Sequence, residues 1–398
     1  MAGAACLVLV AAAVVIATPE TSGLVPGHIG GDNRWDWLFL GALAGAFFAY
    51  VAGLAAIERS PGLRLTIACA LAAAIQLVPL GGPLLLSTDV YTYWDYGRIA
   101  AVHGGNPYSD PPSRYPHDPA YARMGSGWRN TTAVYGPGFT LASEAEATVG
   151  GTSAAAAAWT YKVIAALALL AIVALAVTLV PLERRPYAAA FVGWNPLLAI
   201  HFAGGGHNDA WMMALVLAAM AAAASGRRQL AGVRWAAAIA VKWVPLVFLP
   251  LRALEARRTG RKVGHLGFAL TAALVAAVAT WRYGVQWIEA FGPLASNAQK
   301  QAQYSIPNRV SGLGISEHTS ALLFAGLFAI AYVWLLREAW RRRARLALTA
   351  GLALVATPWL LPWYTVWPVS LAAVEDDRAA RWLALGLTAY LIRDSIPL

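Results

Sequence analysis

The sequence predicts an all-α, polytopic transmembrane helical bundle, because its composition is strongly apolar and its apolar residues form long segments. Of 398 residues, 59% are hydrophobic and 13% are charged, whereas soluble domains are nearer to half apolar and a quarter charged. A bilayer core of about 30 Å takes roughly 20 helical residues to cross, so a chain of this length suits about ten crossings and one large polar loop. We therefore predict one membrane domain over residues 1–398. Its apolar segments lie near residues 3–18, 36–57, 63–86, 155–181, 187–202, 208–225, 265–283, 319–337, 346–361, 363–374 and 380–393.

Short basic clusters predict the orientation of the chain, because Lys and Arg favour the cytoplasmic side. The stretch 231–251 has the length of a crossing, yet a basic cluster flanks it on each side. A re-entrant hairpin that enters and leaves on the cytoplasmic side removes this conflict, and Pro245 and Pro250 offer places to break the helix. The prediction is about eleven crossings plus this hairpin, with extracytoplasmic loops at 81–154 and 284–318. The basic clusters are at residues 59 and 64, 184–185, 227–228, 257–262 and 341–345.

The charge and the cysteines exclude several functions. The net charge is +10, but the basic residues are dispersed as topology signals and do not form one polar face, so we predict no nucleic-acid partner. Cys6 and Cys69 both lie in apolar segments, which argues against a disulfide framework or a thiolate metal site. We predict no cofactor and no metal site, and a divalent cation remains an alternative.

The long loop 81–154 contains the first candidate for catalysis. Asp89 follows the third apolar segment and begins an aromatic run, which predicts an amphipathic helix at the membrane interface. A carboxylate there is partly desolvated, which suits a general base. The alternative is that Asp89 only caps the helix. Asp95 and Arg98 are three residues apart on that helix and are expected to form an ion pair.

Aromatic residues of the same loop are candidates for stacking on a sugar or an isoprenoid, although membrane anchoring explains any one of them equally well. They are Tyr93, Trp94 and Tyr135.

A second polar group follows three glycines between two apolar segments, at His207, Asn208 and Asp209. Backbone freedom and a helix N-terminus at this point suit the binding of an anion or of hydroxyl groups. The alternative for Asn208 and Asp209 is helix capping, which does not require a histidine.

Three cations complete the candidates. Lys242 lies in the middle of the predicted hairpin, where a charge is costly and therefore suggests function, unless its side chain reaches back to the cytoplasmic surface. Lys300 and Arg309 lie in the outer loop 284–318 and have the chemistry to hold a phosphate at the interface.

Short motifs of charged, aromatic, glycine and proline residues are spread along the chain: Asp89, YWDYG at 93–97, GNPY at 105–108, YGP at 135–137, GHNDA at 206–210 and KWVP at 242–245. Together they resemble the GT-C membrane glycosyltransferases. The closest likeness is to polyprenol-phosphate-mannose-dependent mannosyltransferases, the family 87 group and its actinobacterial alpha-1,6 relatives. The resemblance implies an outward-facing site, a lipid-linked hexose donor and an acidic residue in the first large outer loop as catalytic base, a position that Asp89 matches.

The resemblance implies transfer of a hexose, most simply mannose, from a polyprenyl-phosphate donor to a glycan or glycolipid acceptor in a bacterial plasma membrane. Asp89 would accept the proton of the attacking hydroxyl, with inversion at the anomeric carbon, because no pair of carboxylates suited to retention is evident. Arg309, Arg98 or Lys300 would stabilise the leaving phosphate. A transporter or flippase of lipid-linked sugars is the alternative, although such proteins place charges along a mid-membrane path.

Overall fold

A computed structural model describes residues 1–60, 62–297 and 301–398, and in these ranges the chain forms helices and no β-strand. The α-helices are α1 Ala2–Ile16, α2 Asn33–Arg59, α3 Leu65–Leu77, α4 Asp89–Ala101, α5 Pro137–Gly150, α6 Ala154–Leu179, α7 Arg185–Gly193, α8 Pro196–Ala199, α9 Asp209–Ala224, α10 Arg228–Val241, α11 Leu249–Arg258, α12 His265–Tyr283, α13 Phe291–Asn297, α14 Ile306–Ser311, α15 Glu317–Arg341, α16 Leu346–Ala356, α17 Val366–Val374 and α18 Arg378–Tyr390.

The helices confirm an all-α membrane protein but do not fix the number of crossings. Among the described residues, four helical stretches have the length and apolar composition to cross a bilayer: Asn33–Arg59, Ala154–Leu179, His265–Leu294 and Glu317–Arg341. The third comprises α12, a 3₁₀ helix at Gly284–Ala290 and the start of α13. Other apolar helices, such as α1, α9 and α16, have 10 to 17 residues. The predicted count of about eleven crossings therefore stays a prediction.

The apolar segment 187–202 is divided between α7, α8 and a π-helical turn at Ile200–Gly204. The break is buried, and side chains satisfy its backbone groups. Gln76 donates to the carbonyl oxygens of Gly193 and Asn195, at 3.0 and 3.1 Å. The side chain of Asn195 caps α8 by accepting from the N–H groups of Leu197 and Leu198. Such irregular backbone is tolerated at membrane depth only inside protein, and here it leads directly to His207.

Helix α4 is buried within the protein, which makes the prediction of an interfacial helix wrong. Residues 90–100 are all buried, because α5 and the loop that leads into α5 cover α4. A Cβ atom on Gly97 would overlap the backbone of Ser143 in α5, and the hydroxyl of Tyr96 donates to the carbonyl oxygen of Thr131 at 2.8 Å. The aromatic residues of α4 therefore belong to the core and do not anchor the chain in headgroups.

The stretch 231–251 folds as most of α10, a 3₁₀ turn at Val244–Val247 and the start of α11. Arg228 precedes this stretch and Arg257 follows it, yet both line one cavity. The chain thus returns to the end of the bundle from which it came. This geometry supports a hairpin, and its re-entry into a bilayer remains a prediction.

The turn that follows α10 is held in position by close contact between the end of α10 and the start of α5. The N–H of Gly136 donates to the carbonyl oxygen of Val241 at 3.2 Å, and a Cβ atom on Gly136 would overlap the carbonyl oxygen of Ala240. We expect Gly136→Ala to lower the free energy of unfolding by about 1–3 kcal/mol, as overpacking does, measured by thermal unfolding in detergent.

Gly41→Ala is the matched control for Gly136→Ala. No heavy atom lies within 4 Å of a Cβ added to Gly41 in the middle of α2, so alanine there should be neutral or stabilising by up to about 1 kcal/mol through helix propensity. Equal effects of the two substitutions would contradict the proposed contact between α5 and α10.

Candidate active site

The structure brings several of the sequence-predicted residues to one cavity of about 260 Å³. Asp89 lines it from the first turn of α4, and Lys242 lines it from the turn after α10. The rest of the wall is largely aromatic. These aromatic residues are Tyr93, Trp128, Tyr135, Trp243, Trp359, Trp363, Tyr364 and Trp367.

The Asp89 carboxylate does not cap α4. The residue before it, Thr88, makes no side-chain cap bond, and the N–H of Asp89 itself donates to the Ser87 hydroxyl at 3.2 Å. Oδ2 of Asp89 lies 3.5 Å from Nδ1 of His207, and the Asp89 side chain is 16% exposed. The carboxylate therefore adjoins a buried imidazole on one side and the cavity on the other.

The imidazole of His207 is fixed by stacking. Its ring lies 3.6 Å from the Trp363 ring, with 12° between the planes, and His207 is fully buried. The left-handed backbone of Gly206, with φ of 72°, turns the chain from the π-helical segment toward His207. The ring is therefore fixed beside the Asp89 carboxylate, although neither of its nitrogens makes a hydrogen bond with described residues.

Lys242 pairs with Asp209 and does not reach back to a surface, so the snorkelling alternative is wrong. Its Nζ lies 2.9 and 2.8 Å from the two carboxylate oxygens of the fully buried Asp209. Trp367 Nε1 donates to the same carboxylate at 2.7 Å, and the ammonium lies 4.9 Å from the Tyr364 ring centre. This network fixes the Lys242 ammonium, paired with Asp209, at the cavity wall.

The alternative that Asn208 and Asp209 only cap α9 is also wrong. Asn208 occupies the N-cap position of α9 without a side-chain cap bond. It is buried, and its side-chain amide atoms make no hydrogen bond within the described part of the chain. Asn208 does not line the cavity, so any role there is indirect.

Tyr93 and Tyr135 support the cavity from α4 and from the turn before α5. Their rings pack edge to face at 5.2 Å, and Tyr93 packs in the same way on Phe139 at 5.0 Å. Burial, above all, raises the pKa of both phenols well above the usual 10.0. Both hydroxyls therefore stay protonated near neutral pH and serve as hydrogen-bonding groups.

The predicted ion pair of Asp95 with Arg98 is wrong. Arg98 Nε lies 2.8 and 3.0 Å from the carboxylate oxygens of Asp118, and Arg98 Nη1 donates to the Gly151 carbonyl oxygen at 2.6 Å. His103 lies 2.7 Å from the same carboxylate. Although burial raises the pKa of Asp118, these hydrogen bonds lower it overall. Arg98 is thus engaged in holding the loop over α4 and is not free to bind phosphate.

Two further predicted residues lie apart from the cavity lining. Trp94 is fully buried, and its ring packs against the Arg98 guanidinium at 5.1 Å. Arg309 is exposed and lies 4.5 Å from the Tyr304 ring centre. Lys300 falls outside the described residues.

Asp95 is buried, and its carboxylate oxygens make no hydrogen bond with described residues. Burial and the nearby Asp118 raise the pKa of Asp95 to about 7, against the opposing effect of Arg98. Since the folded pKa lies above the ordinary 3.8, ionisation costs stability progressively as the pH rises from about 4 to about 7.

We therefore expect Asp95→Asn to raise the free energy of unfolding by up to about 4 kcal/mol above pH 7 and by almost nothing at pH 4. Unfolding measured across this pH range checks the prediction. The exposed Asp376 is the control, and Asp376→Asn should give a small, flat difference. A gain from Asp95→Asn that does not change with pH would contradict the buried carboxyl as its source.

The aromatic wall contributed by residues 357–367 was not predicted from the sequence. The sequence places these residues at the end of the apolar segment 346–361 and the start of the segment 363–374, yet Trp359, Trp363 and Trp367 all line the cavity. The signal was present, because three tryptophans at intervals of four beside a proline-rich turn are unusual. No group of three or more potential metal ligands occurs among the described residues.

A protein family model described as "Alpha-(1->6)-mannopyranosyltransferase, N-terminal domain" matches residues 2–258. The chain belongs to this family. The match confirms the predicted resemblance to the actinobacterial alpha-1,6 relatives, and it contains Asp89, His207, Asp209 and Lys242, while the aromatic wall at 357–367 lies beyond it.

Individual relatives agree with the family. The chain is 28% identical to alpha-(1->6)-mannopyranosyltransferase A of Mycobacterium tuberculosis over 362 residues, which cover 78% of this chain and 66% of the relative. It is 26% identical to the enzyme of the same name from Corynebacterium glutamicum, over 77% of this chain and 71% of the relative. The chain spans about two thirds of the length of these relatives. No solved structure matches it.

Proposed function

We propose that this protein transfers a hexose, most simply mannose, from a polyprenyl-phosphate donor to a glycan or glycolipid acceptor at the extracytoplasmic face, with inversion. The observation that carries the proposal is a cavity in which a carboxylate and an ammonium face an aromatic wall. The relatives are named as alpha-1,6-mannopyranosyltransferases, which supports mannose as the sugar.

In the proposed reaction Asp89 is the general base. An acceptor hydroxyl attacks the anomeric carbon, its proton passes to the Asp89 carboxylate, and the bond between that carbon and the phosphate oxygen breaks. His207 lies against the buried side of this carboxylate, with 3.5 Å between its Nδ1 and Asp89 Oδ2. Proton transfer by a positioned group of this kind typically contributes about 10²–10⁴-fold to the rate.

Lys242 is the cation that the leaving phosphate would meet, in place of the predicted Arg98 or Arg309, while the predicted Lys300 lies outside the described residues. Asp209 and Trp367 fix its position, so its charge is preorganised for the charge that develops on the phosphate oxygen. Asp209 is fully buried behind Lys242 and is not available as a nucleophile. Among the described residues that line the cavity, Asp89 is the single carboxylate, which favours direct displacement over a covalent intermediate.

The aromatic wall suits a carbohydrate. Sugar rings present apolar C–H faces, and tryptophan and tyrosine rings combine apolar surface with a polar edge. Trp243 and Trp359 line the same cavity as Lys242 and Asp89, and in this proposal they contact a sugar held between the ammonium and the carboxylate.

The test is an assay of purified full-length protein with labelled polyprenyl-phosphate mannose and membrane lipids, followed by identification of the labelled product. Nucleotide-linked mannose is the control donor and should give no product. Inversion is checked by comparing the anomeric configuration of donor and product. Movement of labelled lipid across proteoliposomes without a new glycosidic bond would overturn the proposal and support a flippase.

The side of the membrane on which the cavity lies has a separate test, cysteine labelling in a variant that carries Cys6→Ser and Cys69→Ser. A single cysteine at residue 127, in the loop 81–154, should react with an impermeant thiol reagent added outside intact cells. A cysteine at residue 260 should react only after permeabilisation. The reverse pattern would place the cavity on the cytoplasmic side.

A further inference from the structure

A second, larger cavity lies about one helix length from the candidate active site. It has a volume of about 540 Å³, and Arg228 at the start of α10 lines it. Because α10 has 14 residues, Arg228 lies roughly 20 Å from Lys242 along the helix. The catalytic proposal makes no use of this cavity.

Basic side chains without ion-pair partners line the cavity. Arg228, Arg257, Arg261, Lys262 and His265 line it, and none of the described lining residues is acidic. Within the described ranges, none of these five side chains makes an ion pair.

The nearby acidic residue of α11 is already engaged. Glu255 pairs with Arg252 at 2.5 Å and accepts a hydrogen bond from the N–H of Ala344 at 3.0 Å. The positive charge of the cavity is therefore not neutralised from within α11.

The walls of the cavity are fixed by close packing of α10 against α12. Cβ atoms on Gly232, Gly264 or Gly267 would each overlap backbone of the opposite segment. The N–H of Gly267 also donates to the Gln229 side chain at 2.8 Å. The backbone that carries Arg228 and His265 is thus held in place by contacts that tolerate no side chain.

An exposed apolar stripe leaves the cavity along α12. Leu266 lines the cavity and is 61% exposed, and Leu270 and Leu274 follow on the same helix face, with exposures of 62% and 64%. A free phosphate would make no use of these leucines. A molecule with an anionic head and acyl chains would contact both the cations and the stripe.

We propose that this cavity binds the headgroup of an anionic phospholipid, with its acyl chains along the α12 stripe. Arginines bind phosphate through paired, charge-assisted hydrogen bonds, and basic pockets between transmembrane helices are typical sites for such headgroups. Topology signalling alone requires basic residues in short loops. It does not require them to converge on one cavity without a carboxylate.

The test is native mass spectrometry of the full-length protein in neutral detergent, titrated separately with phosphatidylglycerol and phosphatidylcholine. We expect the protein to retain phosphatidylglycerol and to bind phosphatidylcholine more weakly than phosphatidylglycerol. The triple variant Arg257→Gln/Arg261→Gln/Lys262→Gln should bind phosphatidylglycerol at least about tenfold more weakly, since each basic group near a lipid surface contributes roughly fivefold to the affinity.

The control is Arg337→Gln/Arg341→Gln/Arg342→Gln, which removes the same charge from exposed positions of α15 and the residue after it. Its loss of affinity should be at least about tenfold smaller than that of the cavity variant. Equal losses would overturn the proposal in favour of diffuse attraction. Displacement of the lipid by millimolar inorganic phosphate would overturn it in favour of a free-anion site. Arg261→Gln alone serves if the triple variant unfolds, and unchanged affinity in that variant would also count against the cavity.

Discussion

Replacement of Asp89 by asparagine is expected to reduce sugar transfer by about 10²–10⁴-fold, the usual contribution of a positioned general base. The amide keeps the size and polarity of the side chain but cannot accept the proton of an acceptor hydroxyl. Asp89 makes no cap bond in α4, and its Oδ2 lies 3.5 Å from Nδ1 of His207. The fold should therefore be retained, and initial rates with labelled polyprenyl-phosphate mannose measure the effect.

Asp95→Asn is the matched control on the same helix. Asp95 does not line the cavity, so the substitution should leave transfer within a few-fold of the original rate. Near-normal transfer by correctly inserted Asp89→Asn protein would remove Asp89 from the mechanism. Full loss of transfer in Asp95→Asn would move the catalytic assignment to that residue.

Removal of the Lys242 charge is expected to affect both rate and stability. Lys242→Gln takes away the preorganised cation, and loss of one such group typically costs about 10²–10³-fold in rate. It also leaves Asp209 buried without its partner, which costs about 3–5 kcal/mol when a buried ion pair is broken. Steady-state rates and thermal unfolding measure the two effects separately.

The double variant Lys242→Gln/Asp209→Asn distinguishes the two contributions. It removes both charges, so stability should largely return, while transfer should stay low because the cation is still absent. Arg309→Gln is the control for loss of one positive charge, and as an exposed substitution it should change stability by no more than about 0.5 kcal/mol. If the double variant regained transfer together with stability, Lys242 would have only a structural role.

The sequence by itself determined the class of the protein and several members of its site. Apolar segments and scarce charges specify a helical membrane protein, because exposed backbone polar groups are not tolerated in lipid. Asp89, His207 and Lys242 stood out because ionisable residues beside or within apolar segments are costly to place there, and all three come together in the structure.

Only the tertiary structure decided which partner each polar group has. Spacing suggested that Arg98 pairs with Asp95, but folding brings Asp118, 20 residues away, into contact with the guanidinium. Similarly, Asp209 meets Lys242 and Trp367, which lie 33 and 158 residues from it. Local periodicity reports only neighbours on the same helix, whereas a buried charge pairs with whichever opposite charge or donor the packing of distant helices delivers, because leaving it unpaired is expensive.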